Sequence, residues 1–259
     1  MTPALMEAAN ALGGEAFVAA LLVFLRVGAA MALLPAFGER SVPARVRLVL
    51  ALAFTAIVAP AVAEGMPTVL TAPVLAAHLA SETLAGLALG IMLRLFVLIL
   101  QVAGAIAAQA TSLSQILGVP GAEPMAAIGH IMMTGGLALA AILGLHLRVA
   151  EALILSYEAL PAGRLPDAGI LADWGVSGVA RTFGLAFSLA APFAAGALVW
   201  NAAMGVVNRA MPQLMVAFVG APAVTALGLG LLALTMPFML EVWADALNGF
   251  LADPFGPLP

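Results

Sequence analysis

Residues Ala210–Leu240 read AMPQLMVAFVGAPAVTALGLGLLALTMPFML, thirty-one positions without a charged side chain. About 20 apolar residues cross the ~30 Å hydrocarbon core of a bilayer as a helix. A barrel strand would instead alternate apolar and polar over about ten residues, and no such alternation is present. The stretch therefore reads as membrane helix. It exceeds one span and contains Pro222 and Pro237, so a broken helix or a tight hairpin is expected.

The rest of the chain agrees with that reading. Of its 259 residues 64% are apolar and 8% charged, against roughly 25% charged in a soluble protein, and the mean hydropathy is +1.16. Nine basic and thirteen acidic residues cannot coat a soluble particle of 26.1 kDa. All nine basic residues are Arg, and Cys is absent. That composition excludes disulfide frameworks, thiol nucleophiles, Cys-ligated zinc and lysine Schiff-base chemistry. A net charge of −4 without a basic run leaves no footprint for nucleic acid. The expected fold class is an all-α membrane protein with about six apolar helical segments, forming one membrane domain over residues 1–259.

Residues 1–15 form a lead-in without the basic start of a signal peptide, so the first span is expected to direct insertion. That span is read as Ala16–Leu34, with Arg26 near its middle. A loop carrying Arg40, Arg45 and Arg47 follows, which the positive-inside rule places in the cytoplasm. The second span, Leu48–Ala63, is short and ends around Pro60. The third, Val74–Ala103, holds Glu82, Arg94 and Gln101 among apolar neighbours. Gln109 to Pro124 is polar and almost uncharged, with Ser112, Leu113, Ser114, Gly118 and Glu123. At membrane depth such a stretch either lines a cavity as a re-entrant plug or is an ordinary surface loop. A fourth span, Met125–Leu147, leads to a long charged connection, Arg148–Arg181, and a fifth is read as Thr182–Met204 with Pro192 inside. Residues 248–259 form an irregular tail.

Ionisable residues inside spans are the default functional candidates, because an unpaired charge in hydrocarbon costs at least a few kcal/mol. Arg26, Glu82 and Arg94 qualify. Glu82 and Arg94 are twelve residues apart, about 18 Å along a helix, too far to pair with each other. Each needs a partner on another helix or another chain, as part of a proton or ion relay, as an intersubunit salt bridge, or by snorkelling at a span end. Arg209 reads either as an intersubunit anchor or as a topology determinant. His78, His130 and His146 lack metal-ligand spacing. The spacing Gly86-x-x-x-Gly90 permits close helix approach. No catalytic motif occurs, and neither an enzyme nor a cofactor is expected. A different class of function, a secondary transporter binding a small anion through Glu82, Arg94 and broken helices, predicts inverted repeats that the sequence lacks.

Ordered positions along the chain resemble one family. Pro35, Phe37, Gly38, Pro43, Arg47 and Pro60 stand at the first hairpin, followed by Glu82, Gly86, Gly90, Gln101, Gly104 and Gln109. Gly144, His146, Ser156, Tyr157 and Pro161 come next, then Pro192, Asn201, Gly205, Arg209, Pro212, Gln213, Phe218, Gly220 and Pro222. In this order they resemble the FliR/SctT-like export-gate family of type III secretion, over about residues 17–247. The resemblance implies bent helical hairpins, a central plug-like loop at Gln109–Pro124 and a proline-broken last segment. It also implies assembly with FliP-like and FliQ-like membrane subunits into a closed protein-conducting channel, next to FlhB-like and FlhA-like components. The cargo would be unfolded exported proteins, and the location the flagellar basal body in the bacterial inner membrane. Ser112 stands where the family usually has Gly, and Glu123-Pro124 where Asp-Pro is common. Val224 replaces a frequent basic residue.

Overall fold

The computed structural model describes residues 14–39, 42–67, 71–111, 125–210 and 216–256, except the side chains of residues 15, 111, 125–127 and 216–222. Seven α-helices occur among them: α1 (Gly14–Met31), α2 (Ala44–Val62), α3 (Ala72–Thr111), α4 (Met125–Ile142), α5 (Leu145–Ala159), α6 (Ala168–Ala210) and α7 (Val216–Ala252). A single 3-10 turn, Ala63–Gly65, extends α2, and no strand is present among the described residues.

Among the described residues four helical stretches are long and apolar enough to cross a membrane: 44–65, 72–110, 168–210 and 223–252. A fifth results if residues 128–142 and 145–159 form one broken span. The described residues thus provide four or five candidate crossings, slightly fewer than the six apolar segments expected. The first apolar helix, Ala16–Met31, is shorter than a full crossing needs.

Two expectations are corrected. The stretch from Arg148 to Arg181 is helix at both ends, α5 and α6, joined only by a short strap, residues 160–167. Most of its charges lie on helices rather than in a loop: Arg148 Nη1 and Glu151 Oε2 are 3.7 Å apart at i, i+3 on α5, both exposed. Asp167 closes the strap by capping α6, its Oδ1 accepting from the backbone N–H groups of Gly169 (2.9 Å) and Ile170 (3.0 Å). Second, α7 is a single 37-residue helix that continues through Pro222 and Pro237 and on to Ala252, beyond the expected start of the tail. A proline deletes one backbone hydrogen bond, but an apolar setting offers the remaining groups no partner outside the helix, so the helix persists. α6 continues through Pro192 in the same way.

The chain divides into two compact units, the first comprising residues 1–95, 141–179 and 246–259 and the second residues 96–140 and 180–245. In the first unit α1 packs on α2, and α2 on α5, around Leu22, Val27, Leu93 and Leu153, all fully buried. α1 also crosses α3 at Gly86 and Gly90. A Cβ on Gly86 would stand 2.2 Å from the Arg26 carbonyl oxygen, and one on Gly90 3.0 Å from that of Ala30. The Gly-x-x-x-Gly spacing is thus a real crossing point, where missing side chains let two backbones touch.

In the second unit α3 meets α4 glycine to glycine, since a Cβ on Gly104 would lie 2.5 Å from Gly129 Cα. Gln101 Nε2 lies 3.2 Å from Met133 Sδ on the same seam. Trp243 of α7, fully buried, donates its indole N–H to the Phe96 carbonyl at 2.8 Å. Among the described residues this unit carries only four charges, Arg181, Arg209, Glu241 and Asp245.

Candidate functional site

The polar centre of the first unit is built on Arg26 of α1. Leu22, Val23, Arg26, Val27 and Ala30 occupy one inward face of that helix, so the guanidinium is carried into the core. Glu82 reaches it from α3, one turn before Gly86, where the two helices touch. Arg26 is 1% and Glu82 0% exposed. The contact is a two-pronged fork, with Arg26 Nε donating to Glu82 Oε2 at 2.9 Å and Nη2 to Oε1 at 3.2 Å.

The remaining contacts come from α5 and the strap. Arg26 Nη1 donates to Ser156 Oγ at 3.0 Å, and Nη2 donates to the Leu160 carbonyl at 2.7 Å. Ser156 Oγ in turn donates to the Leu153 carbonyl at 2.6 Å. The guanidinium also lies over the Tyr157 ring, 3.6 Å from its centroid, a cation–π contact strengthened by desolvation. Glu82 Oε1 accepts a further hydrogen bond from the Gly163 backbone N–H at 3.2 Å. Four of the five guanidinium N–H bonds are therefore used. A buried charge is tolerated on these terms, paired and saturated with hydrogen bonds.

His78, one turn before Glu82 on α3, completes the seat of the strap. Its Nδ1 lies 2.8 Å from the Val74 carbonyl. Its ring faces Gly163, where an added Cβ would approach Cε1 to 2.5 Å. Gly163 has φ +73, the left-handed conformation in which glycine carries no steric penalty. The strap backbone passes over an imidazole and a carboxylate at a point where only glycine fits.

Arg94, the third intramembrane charge expected from the sequence, lies apart from this centre. It pairs with Glu39 of the first loop, both partly exposed. Arg47 secures the same loop, its Nη2 donating to the carbonyls of Glu39 (3.1 Å) and Val42 (3.4 Å). Pro35 is buried, and Gly38 N–H donates to the Leu34 carbonyl at 2.7 Å. Phe37 packs edge-on against Phe54 of α2, centroids 5.8 Å apart. Pro43 precedes α2, and Pro60 sits exposed in its last turn. This group of motif positions thus shapes one hairpin.

The other candidates are dispersed. Pro192 lies inside α6, where Asn201, Gly205 and Arg209 are exposed. Gln109 is exposed near the end of α3. Ser112, Leu113, Ser114, Gly118, Glu123 and Pro124 of the expected plug lie outside the described residues, as do Arg40, Pro212 and Gln213. Among the described residues no group of His, Asp or Glu could hold a metal ion.

Sequence reasoning marked Arg26 and Glu82 separately and did not connect them to Ser156, Tyr157 or Gly163. One signal was available. Val149, Leu153 and Ser156 share the inward face of α5 at i, i+4 and i+7, which directs a hydroxyl into an apolar core.

These features define a class: an all-α, multi-pass membrane protein whose first helix is anchored by a buried ion pair. The profile of the family described as "Bacterial export proteins, family 1" matches residues 17–250, and the chain belongs to that family. It is 37% identical over 234 residues to the flagellar biosynthetic protein FliR of Caulobacter vibrioides, covering 89% of this chain and 93% of that one. With FliR of Escherichia coli it is 31% identical over 244 residues, covering 91% and 92%. With FliR of Aquifex aeolicus it is 27% identical over 237 residues, covering 91% and 92%.

Proposed function

We propose that the chain is a non-enzymatic structural subunit of the flagellar protein export gate. It assembles with FliP-like and FliQ-like subunits into a closed protein-conducting channel in the bacterial inner membrane, at the flagellar basal body. FlhB-like and FlhA-like components serve the same route, and unfolded flagellar proteins are its cargo.

The observation that carries this reading is surplus apolar length. At 1.5 Å per residue α3, α6 and α7 extend about 60, 65 and 55 Å, roughly twice the hydrocarbon thickness. Large apolar side chains remain uncovered along that length, among them Val176, Phe187, Leu198 and Val206 on α6 and Leu229, Leu234 and Phe238 on α7. Residues 176 and 206 are about 45 Å apart along the helix, so lipid tails alone do not cover the whole row. Partner subunits would cover the remainder.

The charges support an architectural role over transport of a small anion. Glu82 is bound by Arg26, and Arg94 by Glu39. Neither arginine is left as a free cation for a substrate.

Export by a strain lacking the chain tests the proposal. Restoring the chain is expected to restore secretion of flagellar proteins. Deleting Ser112–Gly118 is expected to leave assembly intact and make the gate leak small ions. Unchanged permeability would reduce residues 112–118 to a connector.

A further inference from the structure

The strap joining α5 to α6, residues 160–167, has little apolar anchorage of its own. Pro161, Arg164, Leu165 and Asp167 are exposed, Leu165 to 64%. Its inward attachments are instead polar and few. Arg26 Nη2 holds the Leu160 carbonyl, Glu82 Oε1 holds the Gly163 N–H, and the His78 ring lies under Gly163. Both hydrogen bonds come from the two partners of one buried ion pair. On its other side the strap borders an open cavity of about 360 Å³, lined also by Leu171, Trp174 and Phe255. The opposite wall is fixed separately: Trp174 stacks on Phe255 at 5.5 Å and donates to the Pro254 carbonyl at 3.1 Å.

We propose that the Arg26–Glu82 pair is a latch that holds the α5–α6 strap closed against α1 and α3, and that breaking the pair releases the strap while the helices stay folded. The physical basis is unequal anchorage. α1 and α3 are joined by apolar packing and by the backbone contact at Gly86 and Gly90, which survives loss of the ion pair. The strap has no comparable second attachment on that side, so its seating follows the charges. Pro161 and Pro166 restrict the segment to few conformations, and Gly163, at φ +73, supplies the position at which it turns. Release would widen the cavity from the strap side only, because the Trp174 wall depends on neither Arg26 nor Glu82.

Amide hydrogen exchange on the purified full-length chain, in lipid nanodiscs, tests the latch. In Glu82→Ala, exchange at Gly163 and its strap neighbours is expected to accelerate at least tenfold and to run ahead of α1, α3 and the Trp174 segment, which stay protected. Glu82→Gln, which keeps an oxygen acceptor but loses the charge, is expected to lie between Glu82→Ala and the parent. Arg26→Met with Glu82→Leu removes both hydrogen bonds to the strap and leaves no unpaired buried charge, so it decides the matter should Glu82→Ala fail to fold. Strap exchange unchanged in folded Glu82→Ala, or in the double variant, would overturn the proposal. So would equal loss of protection by α1 and the strap in the double variant, which would make them one cooperative unit.

Discussion

Arg26 and Glu82 form the buried ion pair of the first unit. Removing one member of a buried pair leaves the other charged and unsolvated, at a cost of about 3–5 kcal/mol. Arg26→Ala and Glu82→Ala are each expected to lower thermal stability by that order, as read from unfolding of the purified chain. Replacing both with apolar residues of similar size, Arg26→Met with Glu82→Leu, is expected to cost less than either single change. A double variant less stable than both singles would show that the pair does more than neutralise itself. Gly86 makes a separate prediction. A Cβ there would lie 2.2 Å from backbone, which cannot rotate away, so Gly86→Ala should destabilise by about 1–3 kcal/mol. The danger of these charges was legible in the sequence, because an arginine in the middle of an apolar helix demands a partner. Which partner it takes was not. Positions 26, 82, 156 and 160 are brought together only by tertiary packing, and one of the acceptors, the Leu160 carbonyl, has no side-chain signature at all.

The helices show a similar division at the next scale. Their existence followed from uncharged length, and the ends of α2 lie within a few residues of those read from the chain. Their continuity did not follow. Proline breaks helices in water, but Pro192 and Pro237 lie inside helices, and charges read as a connection, Arg148 and Glu151, lie on a helix surface. In a packed apolar setting the backbone has no better partner than itself. The actual break between α4 and α5 falls at Gly144, with φ 83. The α3–α4 seam provides the test at this scale. Gly104→Leu would drive a side chain into the Gly129 backbone, only 2.5 Å from the first added carbon. Loss of about 2 kcal/mol or more is expected in thermal unfolding, with faster amide exchange confined to α3 and α4 of the second unit. Normal stability would mean that α4 can shift along α3 without cost.

At the scale of the whole molecule, the exposed apolar surface is the dominant fact. The composition implied a membrane protein, and the helix lengths sharpen that: three helices of 37 to 43 residues are longer than the hydrocarbon core of a bilayer is thick. No sequence rule separates lipid-facing from partner-facing apolar residues, since both consist of Leu, Val, Phe and Ala. The family places the chain among bacterial export proteins, and the uncovered helix faces support the proposal that it works inside an assembly.

The most direct test is to express the chain with FliP-like and FliQ-like subunits, purify through a tag on this chain alone, and measure the mass of the product in native mass spectrometry. A single stable species containing all three subunits is predicted. Recovery of this chain with neither partner bound, although both are expressed with it, would contradict the account.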